Sequence, residues 1–236
     1  IWIAFAALLA GCRDDSPPPS AAKGAEKKPA TRVLEVGTHM AQTEGPVAAL
    51  GMYMVGFHPL VDDPTHPMEA HHYCHQVNED LAECVLYDGN TRNANLVGVE
   101  YIVSERLFGS LPPDERRLWH PHNYEILSGQ LVLPGLPEAV EKTALARKIN
   151  SYGKVWQLWR SDRDRLPLGE PHLGWSYNAD GELPPSALAG RDERMDIDSA
   201  ARREDRADLA GKAHRQEGAD RLAKWFPHRD AKSEPR

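Results

Sequence analysis

The stretch that decides the fold is Asn95-Leu96-Val97-Gly98-Val99-Glu100-Tyr101-Ile102-Val103. In an extended chain alternate side chains face opposite ways, and β-branched and aromatic residues suit that geometry. Val97, Val99, Tyr101 and Val103 then share one face, and Leu96, Gly98, Glu100 and Ile102 share the other. Both faces are mostly apolar, so the spacing predicts a central strand. Leu81 to Tyr87 reads as its neighbour, joined through the turn residues Asp88-Gly89-Asn90. Leu50 to Pro59 (LGMYMVGFHP), bounded by Pro46 and Pro59, predicts a buried strand. The prolines and aspartates of 58–67 mark a loop, and Glu69 to Val77 fits either a strand or one helical turn.

Downstream, Leu111-Pro112-Pro113-Asp114-Glu115 opens a helix expected to end near Trp119, with acids at its positive dipole end. Tyr124 to Leu133 is expected to be a strand. Pro137 to Asn150 is expected to be a helix, with Glu138 and Glu141 early and Arg147 and Lys148 late. Val155 to Arg160 predicts a strand bearing Trp156 and Trp159, and Leu166 to Tyr177 a loop with one short strand. Together these predict an α+β domain with a mainly antiparallel sheet, packed helices and a charged C-terminal helical tail.

The 236 residues allow one or two domains and a sizeable core without staples. Lys and Arg number 28 against 35 Asp and Glu, a net charge of −7, which argues against nucleic acid as a partner. Three cysteines exclude a disulfide scaffold or a multi-cysteine zinc fold. The charge is uneven: +1 over residues 1–43, −9 over 44–185 and +1 over 186–236. These shifts divide the chain into a signal remnant (1–12), a Pro/Ala/Lys-rich tether (13–43), one body (44–185) and a charged tail (186–236), read as a solvated helix laced by i,i+4 pairs.

Ile1 to Gly11 is apolar and too short to cross a hydrocarbon core of roughly 30 Å, but has the length of a secretory signal's apolar region. The run Leu9-Ala10-Gly11-Cys12 resembles the bacterial lipobox. That resemblance implies lipidation at Cys12 and a membrane partner reached through the anchor. With Arg13 next, it also implies a cell-envelope address, as an outer-membrane lipoprotein facing the periplasm or the surface.

Seven of eleven histidines fall between His58 and His122: His58, His66, His71, His72, His75, His120 and His122. Pro121 biases His120 toward extended geometry, in which residues i and i+2 point the same way. His120 and His122 could therefore face one ion, with Glu125 three residues on and a further ligand from His71, His72 or His75. Imidazole with carboxylate suits Zn, Fe or Mn. The run resembles a cupin metal motif with a shortened spacing to the Glu and no second half. The competing reading is a hydrogen-bonded polar core. Cys74 and Cys84 either pair as a disulfide or stay buried as small apolar residues, and no signature marks either as a nucleophile.

A further set of runs occurs in order between Leu50 and Gly169. It comprises Glu69-Ala70-His71-His72-Tyr73-Cys74, Asn78-Glu79-Asp80, Cys84, Tyr87-Asp88, Asn93-Ala94-Asn95-Leu96 through Gly98-Val99-Glu100-Tyr101-Ile102-Val103-Ser104, Leu118-Trp119-His120-Pro121-His122-Asn123-Tyr124-Glu125, Ser151-Tyr152-Gly153-Lys154 and Arg165-Leu166-Pro167-Leu168-Gly169. As a set it resembles the oil-body-associated protein family, whose plant members associate with seed oil bodies. The family carries no established activity, so the resemblance transfers no catalytic residue. Combined with the anchor implied at Cys12, which departs from the family, it leads to the expectation of a non-enzymatic, lipid-anchored envelope protein with a lipid-associated role. The alternative is a metal-binding protein or metal-dependent enzyme using the histidine cluster.

Overall fold

The computed structural model describes residues 27–41 and 45–227. Helix α1 (Pro29–Ala41) precedes four strands that run as a meander: β1 (Met52–His58), β2 (Met68–Asn78), β3 (Leu81–Tyr87) and β4 (Leu96–Val103). Two short helices, α2 (Glu105–Gly109) and α3 (Pro113–Arg116), lead to the two-residue strand β5 (His120–Pro121). Then come α4 (Asn123–Leu127), α5 (Glu138–Ala146), β6 (Tyr152–Gln157), β7 (His172–Leu173), α6 (Pro185–Met195) and α7 (Ser199–Asp205). The sheet order is β1-β2-β3-β4-β6-β5, with β7 on β6 and every pair antiparallel. The fold is α+β, and β4 lies in its centre, between β3 and β6.

Register decides which side chains meet. Met54 pairs with His72, His72 with Leu86, Leu86 with Gly98 and Gly98 with Gln157, so these positions share one face. One step along the strands, Cys74 pairs with Cys84, Cys84 with Glu100 and Glu100 with Val155. Ile102 pairs with Gly153, and Gly153 with His120. This face packs against Ile126, Leu131, Leu133 and Leu145 from the helical segments to form the main core. Cys74 and Cys84 are joined by a disulfide within it.

Two elements differ from expectation. Tyr124 to Leu133 is not a strand: its first half is α4, with Ile126 N bonded to His122 O and Ser128 N to Tyr124 O. Asn123 to Ile126 are all buried, so both faces read alike and a period of two could not be told from 3.6. The chain turns at Gly129, in the left-handed region at φ 79°, and only Val132 then bridges to Val55. The helix expected after Leu111 is shorter than a full element. An unforeseen helix, α2, precedes it, capped by Ser104 Oγ accepting from Leu107 N.

The charged C-terminal segment carries α6 and α7, and although many of its residues are exposed it is not a free appendage. Arg191 and Arg206 are fully buried. Arg191 donates to Gln130 O and Gly129 O, while Arg206 donates from Nη1 to Ile126 O and Leu131 O, both at 2.8 Å. The turn over 126–131 has few ladder partners for these carbonyls, and two guanidinium forks supply donors instead. Glu141 balances Arg206 at 3.1 Å and also meets Arg202. Further on, Gln216 bonds both Asn123 N and Ser151 O, fastening the segment to the start of α4 and to the residue before β6. Arg206→Ala should therefore lower unfolding free energy by about 3–5 kcal/mol, because it strips two buried carbonyls of their donor and Glu141 of one of its two cations. Urea unfolding of the purified variant measures this, and a change within about 0.5 kcal/mol, the range of a surface substitution, would show that the tail is not a structural clamp.

Candidate metal centre

Glu100 is the one charged side chain on β4, and it is 2% exposed. A buried carboxylate needs partners, and the fold brings imidazoles to it from four directions. His58 ends β1, His72 lies mid-β2, His120 opens β5, and His122 is the N-cap of α4. All four are buried. Glu100 Oε1 lies 3.3 Å from His122 Nε2 and 3.4 Å from His120 Nε2, and those two nitrogens are 3.2 Å apart. Its other oxygen is 3.1 Å from His72 Nε2, which is 3.0 Å from His58 Nε2. Gly153 makes the convergence possible. A Cβ there would lie 2.2 Å from Glu100 Oε1 and 2.5 Å from His122 Nε2.

The outer nitrogens set the tautomers of two rings. His58 Nδ1 faces Trp175 O at 3.0 Å, and a carbonyl only accepts, so Nδ1 carries the proton and Nε2 the lone pair. His122 Nδ1 meets Ser151 Oγ at 2.8 Å, and that hydroxyl donates to Lys148 O at 2.6 Å, so His122 Nδ1 is also the donor. His122 Nε2 and Glu100 Oε1 are thus two acceptors in contact, a pairing that calls for a proton or a cation between them. Backbone and hydroxyl groups that fix the far nitrogen are the usual outer support of a ligating histidine.

Burial lowers His58 to about 3 and His120 to about 4, so both rings are neutral near pH 7. Burial alone would raise Glu100, but the imidazoles of His120, His122 and His72 outweigh it and hold the carboxyl well below its usual range. Glu125 goes the other way: burial and the nearby Glu100 charge raise it well above 4.5. Its Oε1 is buried without a hydrogen-bond partner, and donor atoms of His120, His122 and Glu125 lie within 4.8 Å of one another. A void of about 10 Å³ is bordered by His58, His72, Glu100, His122 and Glu125. That is the room of about one water or one ion.

Of the histidines expected near His120 and His122, the structure brings in His72 and leaves out His71 and His75. Both odd positions point to the opposite sheet face. There His71 meets Tyr53 Oη at 2.7 Å and Glu69, and His75 meets Glu83. His66 sits at the surface near Asp162. Cys12 lies outside the described residues. Three members of the centre are not among the expected ligands: His58, Glu100 and Gly153. The signal for Glu100 is a single charge within an otherwise apolar central strand; His58 stands only in the histidine cluster and Gly153 only in the run Ser151-Tyr152-Gly153-Lys154.

The family described as "Protein of unknown function (DUF1264)" matches residues 44–210. Oil body-associated protein 2B of Arabidopsis thaliana is 43% identical over 178 residues, covering 74% of this chain and 72% of that protein. Oil body-associated protein 1B of the same plant is 36% identical, covering 75% and 74%. Protein 2B of Zea mays is 39% identical over 194 residues, covering 81% and 76%. No solved structure matches the chain significantly. These relatives overturn the outer-membrane address expected from the run ending at Cys12, because they are plant proteins whose names tie them to oil bodies. Among the described residues, no helix is long and apolar enough to cross a membrane.

The burial shifts predict a pH signature for metal-free protein. Between about pH 4.5 and 6.5 the unfolded chain takes up protons at His58 and His120 that the folded chain refuses, so their contribution is lost as pH falls. Glu125 opposes this: folded, it keeps a proton that the unfolded chain releases above about 4.5, so its contribution is lost as pH rises. His58 and His120 act one way and Glu125 the other, so with two groups against one, stability should fall as pH drops from 6 to 5. In Glu125→Gln the opposing group is gone, and the fall should be steeper. Urea unfolding of EDTA-treated proteins at pH 5 and 6 measures both, and equal slopes would contradict a protonated Glu125.

Proposed function

The chain belongs to the oil-body-associated protein family, DUF1264, and from that starting point we propose that it is a metal-binding protein whose buried centre holds one divalent transition ion. Glu100, His120 and His122 are the ligands, His72 and His58 flank them on the far carboxylate oxygen, and Glu125 is a neutral acid beside the ion.

The observation that carries this reading is the triangle of Glu100 Oε1, His120 Nε2 and His122 Nε2, with edges of 3.2, 3.3 and 3.4 Å. Tetrahedral zinc at metal–ligand distances of about 2.0–2.1 Å places neighbouring donors about 3.3 Å apart. Two histidines and one carboxylate also leave a coordination position for water, as in catalytic rather than structural sites. Gly153 supports the reading from outside, since a side chain there would collide with Glu100 Oε1, His122 Nε2 and the His120 ring. A non-enzymatic lipid-associated role rests on the names of the relatives alone, and the buried donor set favours the metal reading over it.

Elemental analysis after zinc loading and desalting tests the proposal. The native protein should retain one ion per chain, and His120→Ala/His122→Ala should retain none. Gly153→Ala should also lose the ion while its circular dichroism still reports a folded sheet. Absence of metal from the loaded native protein, or equal metal in all three proteins, would sink the proposal.

A further inference from the structure

Next to the centre lies a second, larger cavity of about 560 Å³, within the range of about 300–1,000 Å³ typical of small-molecule sites. Met52 and Met54 of β1 form one wall, and Leu133 with Val140, Ala144 and Leu145 of α5 form the other. Met54 and Lys148 border both this cavity and the void among the histidines, so they are the partition between the two. Val140 is half exposed and marks the outer side. Lys148 is half-buried, and its Nζ donates to Gln76 Oε1, which uses one of its three donors.

We propose that this cavity binds a long-chain carboxylate, with its head group on Lys148 Nζ and its chain along Met52, Leu133, Val140 and Ala144. The charge pattern selects the head: the lining carries two cations, Arg147 and Lys148, against the one carboxylate of Glu79. An ammonium with donors to spare at the inner end of an apolar cavity is satisfied by an anion, whereas a neutral or cationic head leaves it unpaired. Burial disfavours the charge on Lys148, and the Glu100 and Glu79 charges oppose that shift, so the ammonium already depends on nearby anions. The apolar walls select the chain, and two methionines give the cavity adaptable shape. The site rests on the proposed metal centre only in what the head group would reach, because the partition places it beside the void among the histidines.

Titration calorimetry with laurate below its micellar concentration tests the site. Zinc-loaded and EDTA-treated proteins are titrated in parallel, with metal content measured on the same samples. Laurate should bind saturably, one per chain, while acetate and dodecyltrimethylammonium should not. Lys148→Met and Val140→Trp should each weaken laurate about tenfold or more, and Lys148→Arg should keep it. No laurate binding in either state would overturn the proposal even if zinc is stoichiometric. Equal affinity in Lys148→Met, or equal binding of the cationic surfactant, would also overturn it. Binding by protein that takes up no zinc would support the carboxylate site and remove the metal reading alone.

Discussion

Everything near the functional centre follows from burying one negative charge. Glu100 sits on the central strand, where its neighbours along the chain are valine, glycine, tyrosine and isoleucine. An isolated carboxylate there would be neutralised or would unfold the sheet. Instead β1, β2, β5 and the start of α4 each deliver an imidazole to it, and β6 gives up a side chain at Gly153 to make room. The second carboxyl, Glu125, then cannot ionise as well, because burial and the first charge act together. Two acids within a few ångströms of the same histidines are thereby split into a charged carboxylate and a neutral acid.

Holding five polar side chains in a core requires a rigid frame, and the frame comes from distant parts of the chain. The disulfide joins Cys84, the partner of Glu100, to the strand carrying His72. Arg191 and Arg206 hold the turn that follows Glu125, and Gln216 ties the residue before β6 to the start of α4. A tail that looks like a solvated appendage by charge count is thus part of what positions the centre. Its buried arginines act through carbonyl groups, not through the i,i+4 partners that their spacing suggests.

The strands β1, β3 and β4 were legible in the sequence because alternation and turn residues are local signals, whereas the stretch that forms β2 reads equally as a strand or a helical turn. The segment after Tyr124 was not, since a stretch buried on every side has no period to read. For the centre, His120 and His122 could be paired from their spacing, being two residues apart with a proline between them. Which of His71, His72 and His75 joins them depends on the parity of β2 against β3 and β4, and register is a property of the folded sheet. His58 and Gly153 meet the cluster only through pairings that span much of the chain. Lys148 was legible as a basic residue near a helix end, but its place in the wall between two cavities was not.

The central claim is that Glu100, His120 and His122 together ligate one metal ion. X-ray absorption at the zinc edge of the loaded protein reads that shell directly. The account predicts nitrogen and oxygen neighbours at about 2.0–2.1 Å with the outer-shell scattering of two or more imidazoles. A shell containing sulfur at about 2.3 Å, or one of oxygen alone without imidazole scattering, would contradict it.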